Sequence, residues 1–110
     1  TDEALSAGLA AVYGDVTDAR LVRGLIVTSD SFISGEEQKQ TILANFADAQ
    51  SAEMEGASIA QVAHYFDVPF AVVRAISDNA NGEAGPTFDE FIVDAGKQSA
   101  QVLIDFFNKQ

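Results

Sequence analysis

The chain has 110 residues, 47% of them hydrophobic, and its 17 acidic and 6 basic side chains leave a formal charge of -11; that sign repels phosphate backbones and anionic lipid, so neither nucleic acid nor a membrane is expected as a partner. With no cysteine, a disulfide framework and a thiolate metal site are excluded, and a reducing cytoplasm is the expected compartment. No apolar run approaches the roughly 20 residues of a membrane span, the start Thr1-Asp2-Glu3 is unlike a basic leader, and a lone methionine at position 54 suggests that Thr1 is exposed by processing or is not the natural beginning.

Leu5, Leu9, Val12 and Tyr13 recur at helical spacing, with Ala7, Ala10 and Ala11 between them, and predict a helix over residues 1–14. Residues 21–28 are nearly continuous β-branched and aliphatic sequence broken by Arg23 and Gly24, the pattern of a parallel strand buried on both faces. Ser34-Gly35-Glu36-Glu37 has the spacing of a capping box and opens a helix with the stripe Ile42, Leu43 and Phe46, ending near Asn45 or Ala47. Residues 50–53 predict a short strand, and residues 56–66 a third helix with Ala60, Ala63 and Phe66 inward.

Pro69 stops that helix, and residues 70–76 read as another strongly buried strand. Residues 78–86 form a loop. Thr87-Phe88-Asp89-Glu90 is a second capping box, heading a long helix with Phe88, Phe91, Ile92, Ala95, Val102, Leu103, Phe106 and Phe107 assigned to one face. Strand and helix alternate, which gives an α/β class with parallel strands in one incomplete domain.

Polar clusters follow all three expected strands: Ser29-Asp30-Ser31-Phe32, then Glu53-Met54-Glu55, then Ser77-Asp78-Asn79. Open parallel sheets bind ligands beyond their carboxyl ends, so these groups can converge on one small molecule, although loops after strands are polar in any case. Arg74 interrupts an apolar segment, where it should meet Glu53 or Glu55, either as a structural ion pair or to hold a ligand or water. His64, the single histidine, reads as solvated or packed, and Glu36-Glu37 as a solvated helix start. No metal pattern is present in the carboxylates Asp78, Asp89 and Glu90, and neither a metal nor a cofactor is expected.

Gly24-Leu25-Ile26-Val27, Asp30-Ser31-Phe32-Ile33, Glu53-Met54-Glu55-Gly56, Val73-Arg74-Ala75-Ile76-Ser77-Asp78 and Phe88-Asp89-Glu90-Phe91 resemble, in order and spacing, the bacterial methylthioadenosine/S-adenosylhomocysteine nucleosidases from about Gly24 to the end. Nucleoside phosphorylases share the Glu-Met-Glu and Ser-Asp elements, and Phe-Asp-Glu-Phe favours the nucleosidases. The resemblance implies the C-terminal part of a nucleoside phosphorylase-like three-layer fold with a mostly parallel sheet, residues 1–110 being the C-terminal half of a single nucleosidase domain. It further implies a cytoplasmic homodimer acting in methionine salvage.

By the same resemblance, Phe32 stacks on adenine unless it is ordinary core, the Ile33 backbone bonds the base edge, and Met54 packs on the ribose. Glu55 accepts from the 2' and 3' hydroxyls, and Glu53 belongs with the substrate-binding residues. Asp78 is the general acid to N7, oriented by Ser77; Arg74 positions the attacking water; Phe88 lines the 5'-thio pocket. An aspartate donating a proton near neutral pH needs a pKa lifted well above the usual carboxylate range, which burial supplies. The family's general base lies in the N-terminal half, which is expected as a separate chain or segment, and without it these residues are expected to be inactive. A phosphorylase of the same fold and a non-catalytic nucleoside-binding or interface module are the alternatives.

Overall fold

The computed structural model describes residues 1–76 and 88–110, Phe88 by its backbone alone. The expected loop 78–86, the cluster Ser77-Asp78-Asn79, the capping residue Thr87 and the Phe88 side chain lie outside the described residues. The rest divides into two compact units: Thr1–Leu21 and Pro69–Ala75 with the described part of Pro86–Gln110, and Val22–Val68 with Ile76.

In the first unit, α1 spans Glu3–Val16, and Asp2 is its N-cap, with Oδ1 accepting from the Leu5 N–H at 2.8 Å. The sequence pattern places the helix correctly but misses this cap. The Asp2 N–H donates to the Phe70 carbonyl at 2.7 Å, which ties the helix start to residues 69–75. The long helix, here α4, spans Phe88–Asn108 and packs against α1. Val12, Val102 and Phe106 are buried at this contact, and Leu5, Leu9, Tyr13 and Val16 pack around them.

The expected single face of α4 divides: Val102 and Phe106 point into the core, while Ile92, Leu103 and Phe107 are at least half exposed. Consecutive helical residues are about 100° apart, so Leu103 and Phe107 cannot share the direction of Val102 and Phe106. Gly8 lets the helices approach closely, since a β-carbon there would lie 2.9 Å from Phe106 Cε2.

The second unit is a β-α-β-α segment. β1 (Leu25–Thr28) pairs in parallel with β2 (Ala49–Glu53), in the register Ile26 to Ser51, Val27 to Ala52 and Thr28 to Glu53. A register shift between Leu25 and Ile26 leaves Gln50 as the extra residue. Gly24 accommodates it, because a β-carbon at Gly24 would collide with Gln50 Cγ. α2 (Glu36–Asn45) connects the strands, and α3 (Gly56–Tyr65) leaves β2 directly and lies against β1.

Three expectations need correction. β1 is shorter than residues 21–28 and is not buried on both faces, for only Val27 is buried and Leu25 is 38% exposed; with two described strands, each has a neighbour on one side alone. Residues 70–76 form no strand among the described residues, because apolar composition favours an extended segment but a ladder also needs an adjacent partner. Phe66 is not inward: it is the C-cap of α3 and 67% exposed, whereas Ala60 and Ala63 are half-buried as expected. Asp67 then takes φ 57°, and the Val68 N–H returns to the Ala63 carbonyl at 2.9 Å, a left-handed helix stop.

Candidate active site

Parallel pairing brings the carboxyl ends of β1 and β2 side by side, so Thr28 faces Glu53. The Ser29 N–H donates to the Glu53 carbonyl at 2.8 Å and carries the ladder one step beyond the strands. From there the two segments diverge, one into the loop bearing Phe32 and Ile33, the other through Met54 and Glu55 into α3.

The loop is held by one side chain. Gln38 Oε1 accepts from the N–H groups of Ser34 and Gly35 at 3.1 and 3.2 Å, while its Nε2 donates to the Phe32 carbonyl at 3.1 Å. The helix cap therefore differs from the expected box: Gly35 is the N-cap of α2 and Gln38 the reciprocating residue, in place of Ser34 and Glu37. Phe32 is 64% exposed and Ile33 is half-buried.

The second strand end is organised by Glu53. Its Oε1 accepts from the Thr28 hydroxyl at 2.5 Å, and its Oε2 accepts from the N–H groups of Glu55 and Gly56 at 2.8 and 2.6 Å. Thr28 Oγ1 in turn accepts from the Ala57 N–H at 3.0 Å. Three amides at the start of α3 are thus satisfied by two side chains, a charge-assisted arrangement at the positive end of a helix. Glu55 occupies the N-cap position, but its own carboxylate makes no capping bond. Met54 and Glu55 are both exposed.

The pairing of β1 with β2 thus sets the segments that carry Phe32 and Ile33, and Glu53, Met54 and Glu55, at neighbouring strand ends. Arg74 belongs to the first unit and its side chain is exposed rather than buried. Asp78, Ser77 and the Phe88 side chain lie outside the described residues. His64 is exposed on α3, in keeping with the solvated alternative. Among the described residues, no three His, Asp or Glu side chains gather as metal ligands. Sequence reasoning missed Thr28 and Gln38. Their signals were a hydroxyl at a strand end and a glutamine at the third position of a helix.

A family model described as the phosphorylase superfamily matches residues 1–108, which include α1 as well as the segments quoted above. The chain belongs to the phosphorylase superfamily. A 5'-methylthioadenosine/S-adenosylhomocysteine nucleosidase of Listeria monocytogenes is 52% identical over 93 residues, 84% of this chain and 40% of its own length. The corresponding protein of Shewanella pealeana is 46% identical over 103 residues, 94% of this chain and 45% of its own.

Among solved structures, the crystal structure of a Weissella paramesenteroides protein assigned as a methylthioadenosine nucleosidase superposes with a TM-score of 0.90 at 73% identity, covering all of this chain and 46% of that one. A futalosine hydrolase mutant of Helicobacter pylori gives 0.83 at 33% identity, covering all of this chain and 45% of that one. The chain thus spans less than half the length of these relatives. Its α/β class with a parallel sheet is that of the superfamily.

Proposed function

We propose that the protein to which this chain belongs hydrolyses the N-glycosidic bond of methylthioadenosine and S-adenosylhomocysteine, releasing adenine and the thio-ribose. The observation that carries the reading is the exposure of Phe32, Met54 and Glu55 on adjacent parallel strand ends, in a chain 52% identical to a nucleosidase of that name. An aromatic face for a base, a thioether for the ribose ring and a carboxylate for its hydroxyl donors are the chemistry a nucleoside requires.

Breaking the bond leaves negative charge on the base and positive charge on the sugar. In this reading Asp78, oriented by Ser77, protonates N7 so that adenine departs neutral. Glu55 holds the 2' and 3' hydroxyls and favours the cationic sugar. Phe32 stacks on the base, the Ile33 backbone bonds its edge, Arg74 positions the water and Phe88 lines the 5'-thio pocket. The residue that activates the water lies outside these 110 residues, and the working unit is a homodimer of the complete protein.

Adenine release by the full-length protein, with and without phosphate, tests the reaction: release independent of phosphate is expected, and strict dependence on phosphate makes the enzyme a phosphorylase instead. Asp78→Asn should lose about 100- to 10,000-fold in kcat, the usual contribution of a general acid, while inhibitor binding stays measurable. Glu55→Ala should weaken turnover of ribosides much more than of a 2'-deoxy substrate. Equal losses on both would make Glu55 structural.

A further inference from the structure

We propose that Glu53 is a positioning residue: with the Thr28 hydroxyl, its carboxylate fixes the junction between β2 and α3 and so sets where Met54 and Glu55 are presented. Both carboxylate oxygens are engaged inside the second unit, Oε1 by the Thr28 hydroxyl and Oε2 by the backbone of Glu55 and Gly56. Those bonds reach the very residue expected to hold the sugar. Thr28 acts as donor to Glu53 and acceptor from Ala57, so β1, β2 and the first turn of α3 meet at two side chains.

The room for this arrangement is provided by Gly56, where a β-carbon would lie 2.6 Å from Glu53 Oε1 and 3.0 Å from its Cδ. Because Glu53 caps α3, the Glu55 carboxylate does not have to, and it is presented exposed at the head of the helix. A carboxylate bonded to backbone N–H groups fixes direction as well as distance, which an apolar contact does not. Such a device suits a residue that must hold two hydroxyls in register.

The inference rests on the nucleosidase reading for the role of Glu55, and the two can fail separately. In the full-length protein, adenine release from methylthioadenosine is measured for wild type, Glu53→Gln, Thr28→Val and Thr28→Ser, each with and without Glu55→Ala, beside amide exchange at Glu55, Gly56 and Ala57. Glu53→Gln and Thr28→Val should lower kcat/KM by about 10- to 100-fold, as small misplacements of a binding group do. Thr28→Ser, which keeps the hydroxyl, should stay near wild type.

In the Glu55→Ala background those losses should shrink to within about 2-fold, because the residue being positioned is gone. Exchange at the three amides should quicken in Glu53→Gln and Thr28→Val whether or not the protein is active. Losses that stay full-sized without Glu55 overturn the positioning role and make Glu53 a direct ligand contact; a Thr28→Val protein with unchanged kinetics and exchange overturns it by showing that the bond from Thr28 to Glu53 does not hold the junction. A wild type that releases no adenine removes the nucleosidase reading alone, and the exchange rates still decide whether Glu53 and Thr28 hold the junction.

Discussion

In the first unit Val12, Val102 and Phe106 are buried together between α1 and α4, and the ion pair between Lys109 and Asp15 at 3.3 Å sits in water with its side chains 57% and 72% exposed. In the second, Val27 is the one buried hydrophobic residue described, and the order comes from Glu53, Thr28 and Gln38 bonding to backbone. Apolar packing is strong but without direction, and it holds the α1–α4 pair together. Phe32, Met54 and Glu55 are exposed, and under the proposed function they must also be held in place, which burial cannot do. Directional bonds to the backbone do it.

The comparison breaks or sharpens under mutation of the full-length protein. Phe106→Ala has the largest expected effect, about 3 to 5 kcal/mol on urea unfolding, as for other buried aromatic truncations; amide exchange should quicken in α1 and α4 and stay unchanged at Glu55, Gly56 and Ala57. If those three amides quicken equally, the two units are not separately held. Gly56→Ala drives a methyl into the Glu53 carboxylate and should cost about 2 kcal/mol through the lost cap, with the reverse exchange pattern. Gly8→Ala should cost about 1 kcal/mol, since the Phe106 ring must shift while the helix gains roughly the propensity difference between the residues; a more stable variant would show that the ring yields freely. Smallest is Asp67→Gly, which relieves the left-handed backbone and should raise stability by about 0.5 kcal/mol at the end of α3 without touching kinetics.

Much of this was legible in the sequence because it is local. Helical spacing places α1, α2, α3 and α4 to within a few residues, and the strand-end rule points to the segments that hold Phe32 and Glu53-Met54-Glu55, which follow the paired ends of β1 and β2. What could not be read depends on distant partners or on angles within a turn. Residues 70–76 have the composition of a strand, but pairing is decided by a neighbour elsewhere. Val102 and Leu103, or Phe106 and Phe107, are equivalent by composition, and only the direction of α1 selects one of each pair. Glu53 and Glu55 look alike in a list of acids. The turn at Gly56 sends one onto the helix amides and leaves the other at the head of α3.

The first unit is discontinuous, its segments Thr1–Leu21 and Pro69–Ala75 standing on either side of Val22–Val68 in the sequence. Joining α1 to α4 closes a span of 94 residues at Lys109 and Asp15, whereas Thr28 and Glu53 are 25 apart. Chain-closure entropy grows as the logarithm of span, a difference of about 1 kcal/mol here, and on the ribosome Val22–Val68 emerges before α4 exists. The bonds around Glu53 can therefore form while α1 still waits for its partner helix, so refolding followed by pulse-labelled exchange should find Gly56 and Ala57 protected ahead of Val12.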